Sequence, residues 1–159
     1  MPHTSPLLPL LLLVAGTASA GELPARRPGL WETTVSIASM AGSAPAMRMC
    51  IDAATDDLLS RDESRGQRCQ RVEVRREGER YRIRAVCRLA ATTSTTEGFF
   101  EGDFNRRYHG ELQTHYTPAQ HGMAPTKVLL DGRWLGPCPA DLRPGDMLLP
   151  DGRRVQLHP

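Results

Sequence analysis

The chain has 159 residues, with 20 Lys+Arg against 18 Asp+Glu, a formal net charge of +2 and 4 Cys. That length holds one domain rather than two. The charge is too balanced for nucleic-acid binding by phosphate neutralisation or for an acidic disordered tail, and the long apolar run at the N-terminus is too short to span a bilayer.

Leu7 to Val14 is nearly all leucine, broken by Pro9. Gly16-Thr17-Ala18-Ser19-Ala20 follows, with the Ala-x-Ala ending that signal peptidases cleave. A buried helix is disfavoured there by Pro2, Pro6 and Pro9. Residues 1–20 therefore read as a signal peptide cleaved near Ala20, and the remainder as an exported chain. Its aliphatic content is thin, so covalent cross-links are expected. Four Cys in an oxidising compartment supply them as two disulfides, and the absence of a Cys-x-x-Cys pair argues against a structural metal.

Gly29 to Ile37 reads as a strand with Trp31, Thr33, Val35 and Ile37 on one face. Gly42 to Pro45 is a turn, Ala46 to Ile51 a second strand, and Asp52 an N-cap for a brief helix through Leu59. A charged loop from Ser60 to Arg68 leads to the clearest hairpin, in which Arg71–Arg75 and Tyr81–Ala85 alternate on either side of Glu77-Gly78. Thr92 to Thr96 is polar and β-prone and runs on towards Phe104, Asn105-Arg106 is a turn, and Tyr108 to Tyr116 alternates again. Thr126–Leu130 and Arg133–Leu135 form a strand pair or one bent strand around Asp131-Gly132. In the tail, Leu149-Pro150-Asp151-Gly152-Arg153 carries the signature of a small hairpin turn.

The expected fold is all-β in the main: an antiparallel β-meander, open or closed into an up-and-down barrel, with one short helix and two disulfides. Residues 21–138 form the β domain and 139–159 a C-terminal extension. Parity guides the cysteine pairing. Cys87 shares a face with Tyr81, Ile83 and Leu89, whereas Cys69 shares parity with Arg71 and Glu73, as Cys50 does with Arg48. Cross-strand partners must point to the same face. The expectation is Cys50–Cys69 and Cys87–Cys138, each worth about 3 kcal/mol by loop-closure entropy; one bulge would reverse the parity argument.

Two motifs, Arg27-Pro28-Gly29-Leu30-Trp31-Glu32 and Gly132-Arg133-Trp134-Leu135-Gly136-Pro137-Cys138, bracket Cys50, Cys69 and Cys87. With them the chain resembles, over roughly residues 27–138, a family of small exported Gram-negative proteins catalogued as domain of unknown function 3617. The resemblance implies a periplasmic or envelope location and a mostly antiparallel β fold. It transfers only structural roles, for the Trp, Gly and Cys positions.

Four features carry candidate chemistry. His109, Glu111, Gln113 and His115 lie on one strand face. His109 and Glu111, about 7 Å apart, suit a zinc, but His115 at about 20 Å from His109 does not join them, and an ordinary solvent face is the plainer reading. Arg80, Arg82, Arg84 and Arg88 make a cationic sheet face suited to lipid headgroups or glycan phosphates, unless Glu73, Glu77 and Glu79 neutralise it. Gly29-x-Trp31 with Arg133 resembles the barrel-closing Trp and Arg of lipocalin-like proteins, on three residues only; a plain core plug is the simpler reading for Trp31. Asp56-Asp57 and Asp62-Glu63 are paired carboxylates at a helix start and in a loop.

Gly-x-Ser-x-Gly, His-Glu-x-x-His and phosphate-cradling glycine loops are absent from the sequence, and paired Cys leave no thiol nucleophile. The sequence predicts a non-catalytic β domain without cofactor that binds a small amphiphile or an envelope lipid. The alternative is a protein–protein module in the envelope, using the Arg-rich face or an exposed strand edge. Neither reading involves nucleic acid.

Overall fold

The computed structural model describes residues 22–38, 45–59, 67–89, 91–119 and 124–156. The leader 1–20, nearly all of the expected turn 42–45 and most of the charged loop 60–68 lie outside the described residues. Nine strands are present among the described residues: β1 (Gly29–Ile37), β2 (Met47–Ile51), β3 (Gln67–Glu77), β4 (Arg80–Leu89), β5 (Thr92–Gly102), β6 (Arg107–Thr117), β7 (Thr126–Gly136), β8 (Asp146–Leu148) and β9 (Arg154–Gln156). They form one antiparallel sheet in the order β3-β4-β5-β6-β7-β1-β2-β8-β9, whose two edges are not hydrogen-bonded to each other.

The sheet is rolled without being closed. In a flat sheet β3 and β2, six strands apart, would lie about 29 Å from each other. Yet Val74 of β3 and Ile51 of β2 belong to one core cluster with Trp31, Ile83, Phe100, Phe104 and Tyr108. Chain leaving β2 bridges the gap, since Ala53, Asp56 and Leu58 line a cavity together with Val72 and Val74 of β3.

Strand register sorts the inner face into rows. Tyr108 lies opposite Gly132 and Gly102, and Phe100 opposite Gly110 and Tyr81. A Cβ on Gly132 would run into the Tyr108 ring, and one on Gly110 into Phe100. Glycine thus lets each ring lie across the neighbouring strand. One residue pays in backbone strain. Phe104 has φ 54°, in the left-handed region that side chains disfavour. It is 2% exposed, stacked on Tyr108 and edge-on to Tyr81. Asp103 fixes that turn by accepting hydrogen bonds from the N–H groups of Asn105, Arg106 and Arg107.

Three expectations need correction or resolution. Residues 52–59 form turns, with no helix among the described residues. Asp52 does cap, accepting from the N–H groups of Ala54 and Thr55, but as an isolated turn. Leu58 and Leu59 then pack on the core cluster instead of continuing a helix. Asp131 and Gly132 sit within a single strand, β7.

The disulfides are Cys50–Cys138 and Cys69–Cys87, not Cys50–Cys69 and Cys87–Cys138. Bulges reverse the parity twice. Cys69 pairs with Cys87 and Arg71 with Val86, so Gln70 is the extra residue that turns Cys69 to the inner face. On β7, Trp134 pairs with Trp31 but Gly136 with Leu30, so Leu135 is extra. Gly136 thereby joins the outer face, and the chain leaves on the side where Cys50 points. Cys50 is fully buried there, and the Gly145 N–H donates to its carbonyl at 2.9 Å.

Candidate functional site

The aromatic rows end abruptly along the inner face. Beyond Tyr81, Phe100 and Gly110 comes a row holding Val74, Ile83, Gly98, Leu112 and Val128, then one of Val72, Ala85, Thr96, Thr114 and Thr126, then Cys69, Cys87, Ser94 and Tyr116. Small side chains at Ala85, Ser94, Thr96 and Thr114 leave a groove of about 330 Å³. Val72, Leu89, Leu112, Val128 and Leu130 wall it, Leu58 and Leu59 lean over it, and Tyr116 also lines it. Among the described residues, no charged side chain lines this groove. Ser94, 3% exposed, donates its hydroxyl to the Cys87 carbonyl at 3.3 Å. Thr96 and Thr114, directly opposite each other, share a hydroxyl–hydroxyl bond of 2.8 Å.

The other end of the rolled sheet is plugged. Arg26 is 4% exposed, with its guanidinium carbon 5.8 Å from the Trp31 ring centroid and 5.6 Å from that of Tyr108. Asp56 accepts from both Arg26 Nε (2.7 Å) and Arg26 N–H (2.6 Å). Arg27 stacks over Trp134 at 3.8 Å, and the two indoles donate to the carbonyls of Arg27 and Pro28. The cation facing Trp31 is therefore Arg26. Arg133 points outward and pairs with Glu32 at 2.7 Å. Sequence reasoning missed Arg26 because it stands among many arginines with no periodic pattern around it; its one signal is its place just before the Trp31 motif.

On the outer face, Arg80 binds Glu101 (2.7 Å), Arg82 binds Glu77 (3.0 Å) and Arg84 lies 3.5 Å from Glu97. Arg71 pairs with Glu73, which also lies 3.9 Å from Arg75. Of the four candidate arginines, Arg88 alone faces no carboxylate among the described residues. His109 engages Asp131 through Nδ1 at 2.8 Å, while Lys127 holds Glu111 at 2.8 Å.

The perturbed carboxyls all shift downward. Hydrogen bonds from Arg133 and then Arg48 hold Glu32 below its ordinary range, and the Lys127 ammonium does the same for Glu111. The Thr55 hydroxyl and N–H lower Asp52, and the backbone amides of Arg106 and Arg107 lower Asp103. Such groups stay ionised near neutral pH, which suits ion pairing rather than proton transfer.

No curated protein and no solved structure matches the chain. One family model does, and its limits coincide with the geometry: it starts at Arg26, the buried plug, and stops at Cys138, the partner of Cys50. Its two end motifs meet in space through Arg27–Trp134 and Glu32–Arg133. The chain belongs to the family described as "Protein of unknown function (DUF3617)", whose model matches residues 26–138.

Proposed function

We propose that the protein is a non-catalytic periplasmic binding module whose inner groove takes the apolar part of a small amphiphile or envelope lipid. The observation that carries this reading is the groove of about 330 Å³ on the inner face, whose lining carries no charge among the described residues. Its size falls within the range of about 300–1,000 Å³ common for small-ligand sites. With no charge among the described lining residues, an ionised headgroup would be costly to bury, so the polar end of the ligand stays at the mouth. The periplasmic location rests on the leucine-rich leader and its Ala18-x-Ala20 ending.

The alternative, a protein–protein module using the Arg-rich face, has less support. Arg80, Arg82 and Arg84 already face glutamates, so little uncompensated charge remains there to attract an anionic partner.

Native and denatured masses of protein purified from periplasm without denaturant test the proposal. The expected result is a small extra mass in the native spectrum that is lost on denaturation and absent in Ala85→Phe, which fills the groove. A denatured mass matching cleavage after Ala20 is expected alongside. An adduct unaffected by Ala85→Phe, or a wild-type protein that neither retains nor takes up an amphiphile, overturns the groove reading.

A further inference from the structure

We infer that the groove selects a neutral acyl ester or amide, with the Thr96–Thr114 hydroxyl pair holding the ligand's carbonyl. This rests on the groove reading and goes further by naming the ligand's functional group. Two threonine hydroxyls bring two protons, and their mutual 2.8 Å bond uses one. The second proton meets no acceptor among the described residues. Two neighbouring hydroxyls are otherwise engaged: Ser94 donates to the Cys87 carbonyl, and Thr126 turns to the Ala124 carbonyl. A donor left over in an otherwise apolar groove is satisfied by a ligand acceptor, and leaving it unmatched costs binding free energy.

The lining decides which acceptor. A carboxylate or phosphate would be buried with no cationic partner among the described residues, which is unfavourable, whereas a neutral carbonyl supplies lone pairs without charge. Position agrees. The Thr pair lies one row, about 7 Å, from the Ile83–Leu112–Val128 wall and one row from Tyr116 on the other side. An acyl chain therefore runs towards that wall while the alcohol or amine portion lies beside Tyr116.

Isothermal titration of the full mature protein with three probes of equal chain length tests this: 1-monooctanoylglycerol, its ether analogue 1-O-octylglycerol, and octanoate at pH 8. The expected order is ester, then ether, then carboxylate, with ester over ether by on the order of fivefold, the worth of one neutral hydrogen bond. Thr96→Val/Thr114→Val should bring the ester-to-ether ratio to near one while keeping ether binding, which also shows that the variant is folded. Thr114→Val alone serves if the double variant does not fold. Equal affinity for ester and ether in the wild type, a ratio indifferent to the substitutions, or octanoate binding tightest overturns the carbonyl assignment and leaves the groove standing. Binding of none of the three overturns both.

Discussion

Arg26 shows how much one side chain's surroundings matter in a chain with 20 basic residues. Its side chain and that of Asp56 are 2% and 9% exposed, and the carboxylate receives both the guanidinium Nε and the Arg26 amide. Removing one partner leaves the other as an uncompensated buried charge, a loss of about 3–5 kcal/mol. Arg133 is the control. It makes an equally short pair with Glu32, but 67% of its side chain meets solvent, and such pairs contribute about 0–1 kcal/mol. Urea unfolding should therefore show Asp56→Asn losing several kcal/mol and Arg133→Met less than about 1 kcal/mol. Equal losses would mean that water reaches the Arg26–Asp56 pair. The sequence marks Arg26 only by its place before the Trp31 motif, because what separates the two arginines is the fold that buries one and not the other.

Strands could be read from the sequence wherever two-residue alternation is regular, as in Tyr81–Ala85 and Tyr108–Tyr116. Bulges could not, because an inserted residue leaves the alternation on each side intact and changes only the relation between the two. That is why the parity argument set Cys69 apart from Cys87: Gln70 reverses the face of Cys69, and with those two joined the remaining pair is Cys50–Cys138. The groove floor was hidden for a related reason. Thr92–Thr96 reads as a polar strand, yet Thr92 and Ser94 are 2% and 3% exposed, and their row faces inward because the sheet rolls. The Asp52 signal was sound chemistry at the wrong scale: capping satisfies the first amides of a turn or of a helix alike, and a segment this short does not sustain a helix on its own. The bulge gives a direct prediction. With Gln70 deleted, Cys69 adjoins Arg71 and, because Arg71 pairs with Val86, stands opposite Cys87 in a plain ladder, still on the inner face. Alkylation under denaturing conditions followed by mass measurement should therefore find no modified thiol in either the deletion variant or the wild type. Two modified thiols in the deletion variant would show that the pairing needs the bulge geometry itself and not only the shared face.

At the scale of the whole molecule, an open sheet whose ends are not paired depends on contacts that tie distant segments together, and carboxylates make many of them. Glu32 on β1 takes Arg48 of β2 and Arg133 of β7, Glu111 joins β6 to Lys127 of β7, and Asp103 organises the turn between β5 and β6. Asp52 and Asp151 hold the turns after β2 and before β9. All five carboxyls are shifted below their ordinary values, by arginine and lysine partners or by hydrogen bonds from backbone and hydroxyl groups. A carboxyl with a lower pKa folded than unfolded binds fewer protons in the folded state, so its stabilisation is complete above the unfolded value and is lost as pH falls through the folded one. Unfolded Asp and Glu titrate near about 3.9 and 4.3. The urea midpoint should thus hold level from pH 7 to about 5 and fall steadily from about pH 4.5 towards pH 3. Because the contacts span β1 to β9, the loss should be one cooperative change seen alike by tryptophan fluorescence and far-UV circular dichroism. Glu32→Gln should lower the neutral-pH midpoint slightly and make the acid decline shallower, since the group that titrates between three strands is gone. A midpoint that stays level to pH 3 would place the sheet's stability in the aromatic core and the two disulfides, with the ion pairs contributing nothing measurable.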